Sequence, residues 1–140
     1  MPTLSSYLLA ISAFIIGTLG VMHLLITFRG NKIHPRNADL FTAMQSEPLV
    51  ITRQTTMWKA WIGFNASHSY GALLFASIFG YLAFAQSELF FGSMYLQATG
   101  LFMLLGYCHL GFRYWFSVPF RGIVLATIFY LAAIVVQVMQ

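Results

Sequence analysis

Long apolar stretches alternate with short polar breaks along the chain. Apolar runs cover residues 4–28, 60–85, 90–112 and 119–138. Each is about as long as the ~20 residues a helix needs to cross a ~30 Å hydrocarbon layer. Inside such a layer the backbone must satisfy its own hydrogen bonds, so runs of this length read as helices and not as the ~10-residue alternating strands of a barrel. The pattern predicts an all-α fold, a polytopic membrane four-helix bundle forming a single domain over residues 1–140. The only sizeable polar segment is the loop 29–59. In its middle, Asn37 precedes ADLFTAMQS, where Leu40, Phe41 and Met44 fall at i, i+1 and i+4. That spacing predicts a short capped amphipathic helix between Pro35 and Pro48.

Composition supports lipid as the solvent. Hydrophobic residues make up 59% of the chain and charged residues 7%, with a mean hydropathy of +0.78. An ordinary soluble domain carries about 25% charged residues, and so few charges leave too little polar surface to cover a soluble core. The first run has neither a basic segment ahead of it nor a small-residue cleavage site, so it is expected to be retained as a span. Cys108, the single cysteine, has no disulfide partner within the chain.

Charge then orients the bundle. Arg29, Lys32, Arg36, Arg53 and Lys59 lie between the first and second runs, and Arg113 and Arg121 bracket the turn between the third and fourth. The amino terminus, the turn around Glu88 and the carboxyl terminus carry no Lys or Arg. Basic loops stay on the cytoplasmic side, so the loop 29–59 is expected there, with both termini on the non-cytoplasmic face. Trp58, Trp61, Tyr114 and Trp115 fall near the same boundary, where amphipathic rings act as interface anchors. His34, followed by Pro35, reads as a solvated turn residue. Basic residues occur singly and without the aromatic interleaving of a nucleic-acid groove, so no nucleic-acid partner is expected.

Within the spans the polar residues share a level. His23 precedes Arg29 by six residues, His109 precedes Arg113 by four and His68 follows Lys59 by nine, offsets of ~9, ~6 and ~14 Å along a helix. Three helices would each contribute one imidazole to a cytoplasmic-side layer. Asn65 lies three residues before His68, on the same helix face, with Trp61 a turn further back. Gly63, Ser67 and Gly71 form a small-residue stripe expected to admit a neighbouring helix. GVMHLLITFR and GYCHLGFR both read Gly-x-x-His-Leu followed by Phe-Arg, which hints at a duplicated helix pair with His23 and His109 in related positions.

Intramembrane polar groups usually face a bundle interior or a wet cavity. The expected site is therefore a pocket lined by His23, Asn65, His68, His109 and Trp61, with Arg29, Lys59 and Arg113 at its mouth. Aromatic walls, few polar groups and a basic opening suit a lipid-like, quinone-like or other amphipathic ligand. One alternative is an accessory subunit packing against a larger membrane complex or a second copy. A second is haem or metal held by His23, His68 and His109, since imidazole ligates both. No nucleophile with a base, paired carboxylates or phosphate loop is present, so no enzymatic reaction is assigned.

GTLGVMHLLITFRGNKIHPR and RQTTMWKAWIGFNASHSYGALLF resemble a family of uncharacterised small bacterial inner-membrane proteins with four predicted helices. The shared motifs are G-x-x-H-L-x-x-T-F-x-G and W-K-A-W-x-G-F-N-x-S-H-S. The resemblance implies a bacterial inner-membrane location and a compact bundle. It transfers no activity.

Overall fold

A computed structural model describes residues 3–139. The chain forms α1 (Leu4–Phe28), α2 (Ala38–Ser46), β1 (Pro48–Leu49), β2 (Thr52–Thr56), α3 (Met57–Ala85), α4 (Ser87–Gly92), α5 (Met94–Tyr114) and α6 (Ser117–Val138). Helices hold 82% of the described residues. Three of them, Leu4–Phe28, Met57–Ala85 and Ser117–Val138, are long and apolar enough to cross a membrane.

The expected count of four spans therefore differs from what length and composition support. The expected run 90–112 is divided at Ser93, whose hydroxyl accepts from the Leu96 amide at 3.3 Å and caps a new helix. α5 has 21 residues, ~32 Å of helix, so its length suffices. What lowers its apolarity is Gln97, Thr99, three glycines, His109 and Arg113.

Two compact units divide the chain: one takes residues up to Leu19 together with those from Ala72 onward, the other Gly20–Gly71. α1 and α3 each contribute to both.

In the first unit, the pairs Gly100–Tyr130, Cys108–Thr127 and Gly111–Phe120 run in opposite directions along the chain, so α5 and α6 make an antiparallel hairpin. Phe75, Phe79, Phe90 and Tyr130 form an aromatic knot, with Phe79, Phe90 and Tyr130 at mutual centroid distances of 5.7–5.9 Å and steep ring angles. Such edge-to-face contacts add about 0.5–1.5 kcal/mol per pair beyond area burial. The Tyr130 hydroxyl donates to the Gln97 carbonyl at 3.0 Å, satisfying its polar end. A Cβ on Gly100 would stand 2.6 Å from Phe79 Cζ, which explains the glycine there. α1 approaches α3 at Gly17, where a Cβ would lie 2.9 Å from Ala76 Cβ.

The second unit holds the end of α1, the connecting segment and the start of α3. After α1, Gly30 takes φ +82°, a left-handed conformation that suits glycine just past a helix end. The short helix forms as the pattern predicts: Asn37 Oδ1 accepts from the Asp39 amide at 2.8 Å and the Leu40 amide at 3.1 Å. Asp39 in the first turn adds a favourable charge against the helix dipole. The small antiparallel ribbon β1–β2 was not expected. It pairs Leu49 with Thr52 and Pro48 with Thr56, and the Met57 amide donates to the Glu47 carbonyl at 2.9 Å where α3 begins. The β-branched threonines favour strand here, and Val50 and Ile51 form its fully exposed turn.

Two further expectations change. Gly63 and Ser67 are exposed and a Cβ on Gly63 would meet nothing within 4 Å, so at these two positions the stripe is not packed against a neighbouring helix among the described residues, whereas Gly71 is half-buried. The buried small residues of α3 are Ala66, Ser69 and Ala72, on an adjacent face. His34 is half-buried rather than solvated: its ring stacks on Phe41 at 4.5 Å and meets Trp58 edge-on at 4.8 Å.

Candidate functional site

The inward face of α1 follows a helical period through Ile16, Gly20 and Thr27, all buried. His23 falls on the same line and is half-buried. On α3, Asn65 and His68 are half-buried beside buried Ala66 and Ser69. The start of α3 and the end of α1 belong to one unit, and there the side chains meet. His23 Nε2 lies 3.1 Å from Asn65 Oδ1, and the His68 ring packs edge-on against the His23 ring at 5.4 Å and 86°.

The hydrogen-bond chain fixes the proton positions. Asn65 Nδ2 donates to the Trp61 carbonyl at 2.8 Å, so the amide is oriented with Oδ1 toward His23. A carbonyl oxygen only accepts, hence His23 Nε2 carries the hydrogen and donates it. In the neutral ring Nδ1 is then the acceptor. Thr27 and Ser69 turn their hydroxyls onto backbone carbonyls of their own helices, at His23 (2.8 Å) and Asn65 (3.1 Å), and take no part in the cross-helix bond.

The remaining expected site residues are Trp61, Arg29, Lys59, His109 and Arg113. Trp61 is exposed along part of its ring, and its indole N–H donates to the Ile33 carbonyl at 3.2 Å, which fastens the chain after α1 to α3. Its only donor is thus engaged within the protein. Arg29 and Lys59 are exposed at the ends of α1 and α3 in this unit. His109 and Arg113 lie on α5 in the first unit, both exposed. Gly106, one turn before His109, is also exposed, whereas its motif counterpart Gly20 is buried. The shared Gly-x-x-His-Leu sequence therefore presents its histidine differently in the two helices.

Sequence reasoning missed the cluster of His34, Phe41 and Trp58, in which Phe41 and Trp58 also meet edge-on at 4.9 Å. Its members are scattered along the chain, and no local period joins them. It also missed the pairing of Cys108 with Thr127, whose Sγ and Oγ1 are 3.4 Å apart. Thr127 Oγ1 already donates to the Ile123 carbonyl at 2.8 Å, so the thiol is the donor in that pair.

Chemically, the His23–Asn65–His68 group offers two imidazoles, one amide and an acceptor nitrogen, with no carboxylate in the set. Among the described residues no group of three or more His, Cys, Asp or Glu side chains is placed to hold a metal ion. The fold and site define a predominantly helical protein with three helices able to span a membrane and a polar cluster between two of them. Set against family models, curated proteins and solved structures, the chain matches none.

Proposed function

We propose that this chain is a bacterial inner-membrane protein with four spanning helices, α5 included, and that His23, Asn65 and His68 bind a small amphipathic molecule of lipid-like or quinone-like chemistry. The observation that carries the reading is the His23–Asn65 hydrogen bond with the His68 ring against it. Polar side chains on spanning helices are costly and serve either a site or a helix–helix contact. A ligand hydroxyl suits this site, because it donates to the nitrogen of His23 left without a hydrogen. Arg29 and Lys59, exposed at the adjoining helix ends, would meet a polar or anionic head. The charge distribution supports a cytoplasmic connecting segment and both termini on the opposite face. The likeness to small bacterial inner-membrane proteins supports the location.

The test is extraction of the full chain in mild detergent, followed by mass spectrometry of bound small molecules and an absorption spectrum. A stoichiometric amphipathic molecule is expected, retained roughly tenfold less by Asn65→Leu and His68→Phe. Absence of any such molecule, or equal retention by the variants, overturns the reading. A Soret band or stoichiometric metal would instead favour the haem or metal alternative.

One observation favours a second reading, an accessory subunit or a homo-oligomer. His109 is exposed on α5, and an ionisable residue within a span seldom faces lipid. A partner helix would cover it. Strict co-purification with a larger complex, with loss of that association in His109→Leu, would support this second reading against the first.

A further inference from the structure

The connecting segment carries a second candidate site that the sequence pattern did not suggest. Asn31, His34, Pro35, Arg36, Ala38 and Phe41 line an open depression of about 370 Å³. Its walls are held from two sides. His34 stacks on Phe41 and both rings abut Trp58, while Trp61 donates to the Ile33 carbonyl next to His34. A further turn is closed by the His34 amide donating to the Asn31 carbonyl at 3.1 Å. The segment is thus fastened to the first two turns of α3, and the depression lies close to where α1 ends and α3 begins.

Chemistry follows from the lining. Arg36 brings a guanidinium, a planar donor set that matches phosphate oxygens. His34 and Asn31 add polar groups of a kind that donate to oxygen, and Phe41 adds an apolar wall. Nearby charges are Arg29 and Lys32 against Asp39, a positive excess on this stretch. Trp58 and Trp61 are amphipathic rings of the kind that sit at headgroup level.

We infer that this depression binds a phosphate group, that of an anionic phospholipid headgroup at the surface of the bilayer the protein spans. The inference uses the membrane reading only to place the depression at headgroup depth; the phosphate chemistry stands on the lining alone. It concerns residues separate from His23, Asn65 and His68.

The experiment uses the full chain in a nonionic detergent, titrated with phosphatidylglycerol, phosphatidylcholine and inorganic phosphate, with bound molecules counted by native mass spectrometry. One phosphatidylglycerol per chain is expected, held about tenfold more weakly by Arg36→Gln, as loss of a charge-assisted contact predicts. Arg53→Gln, which removes the same charge from β2, is expected to change retention less than about twofold. His34→Phe keeps an aromatic ring against Phe41 and Trp58 while removing the ring nitrogens; it should weaken retention without altering the tryptophan emission of the folded protein. Displacement of the lipid by inorganic phosphate in the wild type and not in Arg36→Gln would keep the site and assign it a soluble phosphate. Equal losses in Arg36→Gln and Arg53→Gln, or no loss in Arg36→Gln, would overturn it.

Discussion

The ends of α1 and α5 carry one motif in two settings. Gly20, His23 and Leu24 correspond to Gly106, His109 and Leu110. On α1 the inward line runs Ile16, Gly20, His23, Thr27, with the histidine joined to Asn65. On α5 it runs Gly100, Leu104, Tyr107, Gly111. Tyr107 precedes His109 by two residues, about 200° around the helix, so His109 points nearly opposite to the packed face. The counterpart of buried Tyr107 is Val21, which is exposed. A shared sequence motif thus sets chemistry but not orientation. Orientation comes from whichever neighbouring residues fill the helix–helix contact, and on α5 an aromatic ring has taken the place that the histidine holds on α1.

The largest expected effect breaks this comparison at its packing positions. Tyr107→Ala removes a ring that is 9% exposed and sits 6.2 Å from the Trp115 ring. It should cost about 3 kcal/mol or more in unfolding measured in detergent, as large core truncations do. Val21→Ala, at the matching position of α1, should stay within about 0.5 kcal/mol, as exposed substitutions do. Equal costs would mean that the two helices pack in the same phase.

The histidines come next. His23→Ala removes a hydrogen bond and leaves the Asn65 carbonyl without its donor, an expected loss of about 1 kcal/mol in the same assay. His109→Ala should lie within about 0.5 kcal/mol in the monomer. Asn65→Leu combined with His23→Ala should cost less than the sum of the single changes, since both remove one bond. Additive losses would show that His23 and Asn65 do not interact.

Why this difference escapes the sequence is a matter of solvent. A helix in water shows its buried face as an apolar stripe, but a lipid-facing surface is as apolar as a buried one, so the contrast vanishes. Phe14 and Phe102 are highly exposed while Phe75 and Phe79 are buried, and nothing local to the sequence distinguishes them. What does survive is what polarity alone encodes. α1 is bounded by its flanking polar residues, Asn37 caps α2 through its own side chain, and Asn65 and His68 share a face by their spacing. The break at Ser93 has a readable signal in Gly92-Ser93 ahead of a new helical turn, but it is masked by the apolar residues on both sides. The ring cluster of His34, Phe41 and Trp58 rests on contacts distant in sequence, which periodicity cannot reveal.

The smallest effect sharpens the comparison at the glycines. Gly106 is exposed and a Cβ there would meet nothing within 4 Å, so Gly106→Ala introduces no clash. Alanine restricts the unfolded backbone and favours helix, so the variant should be more stable by about 0.5–1 kcal/mol, read as a higher unfolding midpoint. Gly111, on the packed face of the same helix, gives the contrast: a Cβ would lie 3.1 Å from Phe120 Cδ2, so the ring must give way and Gly111→Ala should be neutral or destabilising. A destabilising Gly106→Ala would mean that another surface, a partner helix or a second copy, closes over this side of α5, the side that also bears His109.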